Sequence, residues 1–290
     1  MYKLFSLVFV WLLAGCAISP EPSPSEELPA WVNNPPELHA VGSSDVNFQG
    51  IYMQRLEAIN KARSDLAHNL KSYITSQFEI RAKSSNEKFT TKVYDKVNAL
   101  SEVFLNESYQ VDAYIDSKKR LYILLESKKE RINSLIGGKN INPDKIELPV
   151  LKTVPFDKEK LMQSRCYDPY VLQSLNTQSN LYQNRPVWFF RPNQNGVVGS
   201  IGIAEKEEGR NFLEQKSVAL SLAKSSLATR QKSQIASEHE ALKIVHDDIS
   251  GKLFETSSIL RSETNLDQVV ERDIWLDPNS CELYIWVIKK

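Results

Sequence analysis

Apolar residues recur at steps of three and four along 52–73, where Tyr52, Leu56, Ile59, Ala62, Leu66, Leu70 and Tyr73 form one stripe. That period places the stripe on one face of a helix, and small Ala58, Ala62 and Ala67 near it would let the helix lie close on a sheet. Upstream, 39–43 reads as a short strand in which Gly42 allows a turn or the close approach of another segment. Downstream, Phe78, Ile80 and Ala82 alternate and predict a strand. Phe89, Val93, Val97, Leu100 and Phe104 return to helical spacing, and Tyr109, Val111, Ala113 and Ile115 alternate again. After a polar turn at 116–119, the run 121–125 closes a unit with the predicted order β-α-β-α-β-β.

The same pattern returns in the second half. Pro29-Ala30-Trp31-Val32 leads to Ala40-Val41-Gly42-Ser43, and Pro186-Val187-Trp188-Phe189 leads to Val197-Val198-Gly199-Ser200, with 11 residues from Trp to Gly in both. Ala58, Ala62, Leu66 and Ala67 are matched at identical spacing by Ala219, Ala223, Leu227 and Ala228. The closing segment 121–125 is matched by 283–287. These matches predict a duplicated unit, with a strand at 197–203, a helix near 209–229 and a weak strand near 233–241. A helix near 245–261 on Val245, Ile249, Leu253 and Leu260 follows, then a hairpin turning at 277–279. The expected fold class is α+β: two tandem βαββ-type domains, 30–137 and 186–290, with helices packed on mostly antiparallel sheets. The intervening 138–185, broken by Asn-Pro, Leu-Pro and Val-Pro steps, reads as a linker with short helices near 157–164 and 168–175.

The N-terminus predicts export. Lys3 precedes an apolar stretch, 4–14, too short to span a bilayer but laid out as a secretory signal. Leu13-Ala14-Gly15-Cys16 resembles the lipobox of bacterial lipoproteins. That resemblance implies a signal peptide over 1–15, cleavage between Gly15 and Cys16, and a lipid on Cys16. Ala17 after the cysteine resembles an outer-membrane sorting signal. Residues 16–29, rich in Pro and Ser, read as an extended tether.

Taken together, Pro-x-Trp-Val before Ala-Val-Gly-Ser, the helix carrying Ala58, Ala62, Arg63, Leu66 and Ala67, and the Tyr-Ile-Leu-Leu strand resemble the LPP-twenty family of outer-membrane lipoproteins. That family includes a flagellar basal-disk lipoprotein and is similar to the N-terminal part of another flagellar protein. The first copy matches over about 30–137. The second departs from it: Lys224 and Ser226 stand where the first has Arg63 and Asp65, and its connector from Gly199 to the helix is four residues longer. The resemblance implies small SHS2/dodecin-like folds, non-enzymatic envelope proteins that tend to assemble, and contact with a flagellar or other envelope machine.

Charge narrows the partners. With 36 Lys+Arg against 36 Asp+Glu, nucleic-acid binding is not expected, and membrane attachment falls to acyl chains. Candidate chemistry is sparse. His39, His68, His239 and His246 are scattered without ligand spacing, and adjacent residues of Glu238-His239-Glu240 on a strand would face apart. Val198-Gly199-Ser200-Ile201-Gly202 lacks a complete phosphate-binding pattern, and the basic clusters at 118–120 and 128–131 read as solvated tips. No metal, cofactor or catalytic set is expected, and the chain is not expected to be an enzyme.

Two further features bear on assembly. Cys166 and Cys281 remain once Cys16 is lipidated, and an even count in an exported protein predicts a disulfide between them, the alternative being two separate thiols. The closing strands are apolar on both faces: Leu121, Ile123 and Leu125 oppose Tyr122 and Leu124, while Leu283, Ile285 and Val287 oppose Tyr284, Trp286 and Ile288. The second set is either covered within the chain or forms an intermolecular interface. Trp31 and Trp188 read as core lids. The expected function is a lipid-anchored outer-membrane protein facing the periplasm, with a structural or assembly role through contacts with itself or other envelope proteins. The alternative is a module binding peptidoglycan or a small ligand in a groove between domains.

Overall fold

A computed structural model of the chain describes residues 27–85, 91–136, 146–175, 179–246 and 269–290. The first half runs α1 (Ala30–Asn33), β1 (His39–Ser44), α2 (Gly50–Ser85), α3 (Thr91–Asn106), β2 (Tyr109–Ile115), β3 (Leu121–Glu126) and α4 (Lys129–Ile136). Its three strands form an antiparallel sheet in the order β1-β3-β2. The connector supplies α5 (Lys158–Met162), α6 (Pro169–Ser174) and a small hairpin of β4 (Leu181–Tyr182) and β5 (Arg185–Pro186). The second half follows with α7 (Val187–Phe190), β6 (Gly199–Ala204), α8 (Phe212–His246), β7 (Val269–Leu276) and β8 (Leu283–Lys289). Its antiparallel sheet has the equivalent order, β6-β8-β7. The fold is α+β.

The strands expected at 78–82 and 233–241 are absent: both segments continue the long helices α2 and α8. The apolar stripe explains the continuation. Leu66, Leu70, Tyr73 and Ile74 are buried, Phe78 packs against the same core, and Ile80 is 59% exposed. An i, i+2 pair lies on nearly opposite sides of a helix, so Phe78 and Ile80 satisfy the helix as well as the strand they mimic. The 36-residue α2 is about 54 Å long at ~1.5 Å per residue, and overruns strands of about 20 Å. Beyond the sheet, α3 packs between α2 and α8. Helix continuity also changes the setting of Glu238-His239-Glu240, which lies in α8. Ile249, Leu253 and Leu260 fall outside the described residues.

The structure corrects the internal alignment. Gly42 pairs with Ile123 in β3, and Gly202, not Gly199, pairs with Ile285 in β8. At Gly42 an added Cβ would collide with the Ala58 carbonyl and the Ala62 amide; at Gly202 it would collide with those of Ala219 and Ala223. These are the sites where each alanine ladder touches its first strand, and only a residue without a side chain permits that distance. With Gly202 as the counterpart, the connector to the helix differs by one residue rather than four. The extra residues sit instead between Trp188 and β6, in the turn at 194–196.

A glutamine clip repeats with the glycines. Gln54 Nε2 donates to the Ser44 and Lys119 carbonyls at 3.0 and 2.8 Å, and Gln215 Nε2 to those of Ala204 and Cys281 at 2.9 and 2.8 Å. Each ties the end of the first strand to the turn before the last. Lys119 and Cys281 both take positive φ in those turns, 66° and 63°. A register shift also recurs, between Gln110 and Asp112 in β2 and between Glu271 and Asp273 in β7.

Candidate functional site

The carboxylates that follow the two bulges, Asp112 and Asp273, are buried on the sheet faces opposite the long helices. Each accepts a hydrogen bond from the next backbone N–H, of Ala113 at 3.0 Å and of Ile274 at 2.8 Å. Trp188 Nε1 donates to Asp273 Oδ2 at 2.8 Å, and Ser179 Oγ also donates to that oxygen. Trp31 stands correspondingly near Asp112 and favours its ionised form, although no hydrogen bond of normal geometry joins them. The two tryptophans, 3% and 4% exposed, are therefore lids over buried acids. Burial raises both carboxyl pKa values; Arg191 opposes the rise at Asp112, and Ser179 and Trp188 oppose it at Asp273.

Asp112 is also where the halves join. Arg191, just after α7, grips it with Nε and Nη2 at 3.0 and 3.1 Å. Gln110 Nε2 donates to the Phe189 and Phe190 carbonyls at 3.2 and 2.6 Å, and Asn193 Nδ2 donates to the Gln110 carbonyl at 3.0 Å. Phe189 meets Tyr284 edge-on and lies under the Arg55 guanidinium. One apolar cluster consequently includes Leu66, Ile123, Phe189, Ile203 and Tyr284, from both halves.

The connector reinforces this joint. Gln183 and Asn184 both take positive φ, the geometry of a two-residue hairpin turn. The Gln183 amide then exchanges two hydrogen bonds with the Ile115 backbone, at 3.1 and 2.6 Å, continuing the edge of β2. Asp157 and Asp168 cap α5 and α6, whose Leu161 and Val171 enter the second core.

Beside the joint lies a cleft of about 400 Å³ walled by both halves. Arg55, Ile59 and Arg63 face it from α2, two turns of one helix side; Leu227 and Arg230 face it from α8, and Asn193 from the loop after α7. Arg55 is 8% exposed, and its Nη1 has no hydrogen-bond partner among the described residues. Burial lowers its pKa to about 10, and lowers that of Arg230 to about 10 as well. Arg230 places Nη1 and Nη2 each 3.1 Å from the Asn193 amide oxygen. Arg63, whose pKa burial also lowers, donates to the Asn106 amide oxygen at 3.2 Å. Tyr109 stands at the wall, its hydroxyl donating to Glu126 at 2.7 Å, and burial raises its pKa.

None of these arginines was singled out as a site residue from sequence, yet a signal existed. Arg55 stands three after Tyr52 and Arg230 three after Leu227, so each puts a charge on the buried spacing. The residues expected to matter fall elsewhere. Gly15 and Cys16 lie outside the described residues. Cys166 and Cys281 are joined by a disulfide that ties the connector to the β7–β8 turn. Leu124 and Tyr284 are fully buried. Tyr284 donates its hydroxyl to Glu282 at 2.9 Å, and Trp286 stacks on Trp188 at 6.0 Å. Tyr122 and Ile288 are half-buried, Tyr122 bonding Asp116 at 3.3 Å. The outer faces are thus covered within the chain at Leu124, Tyr284 and Trp286, and these residues do not make an exposed docking surface.

Among the described residues, no helix is long and apolar enough to cross a membrane. No family model matches the chain, and no curated protein is significantly similar to it.

Proposed function

We propose that this chain is a lipid-anchored envelope protein that works as a binding module, holding a small ligand in the cleft between its two α+β units. The observation that carries this reading is the cleft itself. It is walled by both halves, lies beside a hydrogen-bonded joint, and contains a buried guanidinium nitrogen without a hydrogen-bond partner among the described residues. Sites of this kind, concave and at the junction of two units, are where proteins commonly hold small molecules.

The anchoring part rests on the Leu-Ala-Gly-Cys sequence and on the resemblance to the LPP-twenty lipoproteins, and outer-membrane placement on the resemblance of Ala17 to a sorting signal. The disulfide suits an oxidising compartment. No chemical step is assigned to the site. The assembly role has less support, because Leu124 and Tyr284, the strongest apolar residues of the sheets' outer faces, are used inside the chain.

Two measurements test the reading. Cys16→Ala should release the protein from the membrane fraction, and unchanged retention would defeat the anchor. Native mass spectrometry of the protein isolated from envelopes should show a bound small molecule. Ser226→Trp, at the cleft wall, should remove it; an identical spectrum from the two proteins would defeat the binding module.

A further inference from the structure

We infer that the cleft is an anion site, built to hold a small molecule bearing phosphate or carboxylate oxygens between Arg55, Arg63 and Arg230. This inference deepens the reading of the cleft as a binding site and rests on it. Three guanidiniums line the space, and no carboxylate among the described residues lines it with them. Elsewhere in the chain, Arg191 meets Asp112 and Arg131 meets Glu107, while half-buried Arg185 is held by the Tyr284 hydroxyl and the Phe189 ring. In the cleft the partners are neutral amides, Asn106 for Arg63 and Asn193 for Arg230, while Arg55 Nη1 has no hydrogen-bond partner among the described residues.

Burial lowers the Arg55 and Arg230 pKa values only to about 10, so both remain cationic at neutral pH. A chain with 36 basic and 36 acidic residues therefore gathers three guanidiniums at one internal place where no carboxylate of the described residues lines the space. Keeping an unpaired charge there costs stability. A ligand oxyanion removes that cost, because the planar guanidinium fork donates to two oxygens side by side and such bonds strengthen away from water. Hydroxyls of Ser200 and Thr229 around the same space add neutral donors. The volume, about 400 Å³, falls within the ~300–1,000 Å³ of small-molecule sites and suits a compact anion or the charged end of a longer molecule.

The test uses the full lipidated protein in non-ionic detergent at fixed ionic strength, titrated separately with pyrophosphate, citrate and neutral chitotriose. Pyrophosphate or citrate should raise the thermal midpoint by about 2–4 °C near saturation, and whichever acts more strongly identifies phosphate or carboxylate as the preferred oxyanion. Arg55→Met should raise the midpoint of the unliganded protein and weaken anion binding about tenfold or more. Arg63→Gln, at a half-buried position, should weaken binding similarly with an unchanged circular dichroism spectrum, and serves if the first variant does not fold. If chitotriose binds and neither anion does, the anion inference falls while the cleft remains a binding site. If none of the three binds, both fall. Anion binding that survives both arginine variants unchanged also overturns the inference.

Discussion

Arg191 and Asp112 form a two-pronged ion pair between the lead-in helix of the second unit and the sheet of the first, at 3.0 and 3.1 Å. Asp112 is fully buried and its partner is largely so. Replacing Arg191 by Met should leave a buried carboxylate with the Ala113 N–H as its remaining formed hydrogen bond. A loss of about 3–5 kcal/mol at neutral pH is expected, read from denaturant unfolding. Burial already raises the Asp112 pKa, and without Arg191 it rises further, so the loss should shrink in acid, where the carboxyl is protonated in both states.

Gly42→Ala and Gly202→Ala should each disrupt one unit. The new Cβ meets backbone atoms of the alanine ladder rather than a flexible side chain, so relief requires moving a helix off its sheet. Overpacking of this kind costs about 1–3 kcal/mol or more. Thermal melts followed by circular dichroism should show both variants shifted down, and a midpoint equal to that of the parent would contradict the close approach of Gly42 to Ala58 and of Gly202 to Ala219.

Asp273 supplies a pH-dependent term of known sign. Burial raises its pKa above 3.8 against the bonds from Ser179 and Trp188, so the folded chain holds this proton more tightly than the unfolded one. Its contribution to stability is therefore greatest below 3.8 and declines as pH climbs through the raised value. Asp273→Asn mimics the protonated form. The stability difference, parent minus variant, should fall with rising pH across that window and then level off; a difference that grows with pH would reverse the assignment.

Reducing the disulfide should cost stability through the unfolded chain. Cys166 and Cys281 are separated by 115 positions, and the chain-entropy argument puts a loop of ~100 residues at about 4.7 kcal/mol. The Cys166→Ser, Cys281→Ser double variant should melt well below the oxidised parent and be insensitive to reductant.

Much of the fold was legible because periodicity is a local property. The stripe from Tyr52 to Tyr73, the alternation at 109–115 and the Trp31/Trp188 pair could be read without knowing what they touch. Phe78 and Ile80 misled because two apolar residues at i, i+2 satisfy either period when one is half-buried and the other exposed. Gly199 misleads because constant distance from a tryptophan is not register, which is set by contact: Gly202 is the residue against Ala219 and Ala223.

The sequence by itself determined the helical stripes at 52–73 and 209–229, the alanine ladders, the closing hairpins and the expectation of a lipidated Cys16, since each depends on neighbours a few residues apart; that both helices run on to Ser85 and His246 came from the structure. Only the tertiary structure decided that Tyr284 is covered by Phe189, that Gln183 extends the edge of β2, and that Arg55 and Arg230 share one cleft. Those relations join residues about 70–175 positions apart. They exist because a buried strand face, a sheet edge and a charge on a helix stripe must each find a partner, and which partner arrives depends on how the two units dock.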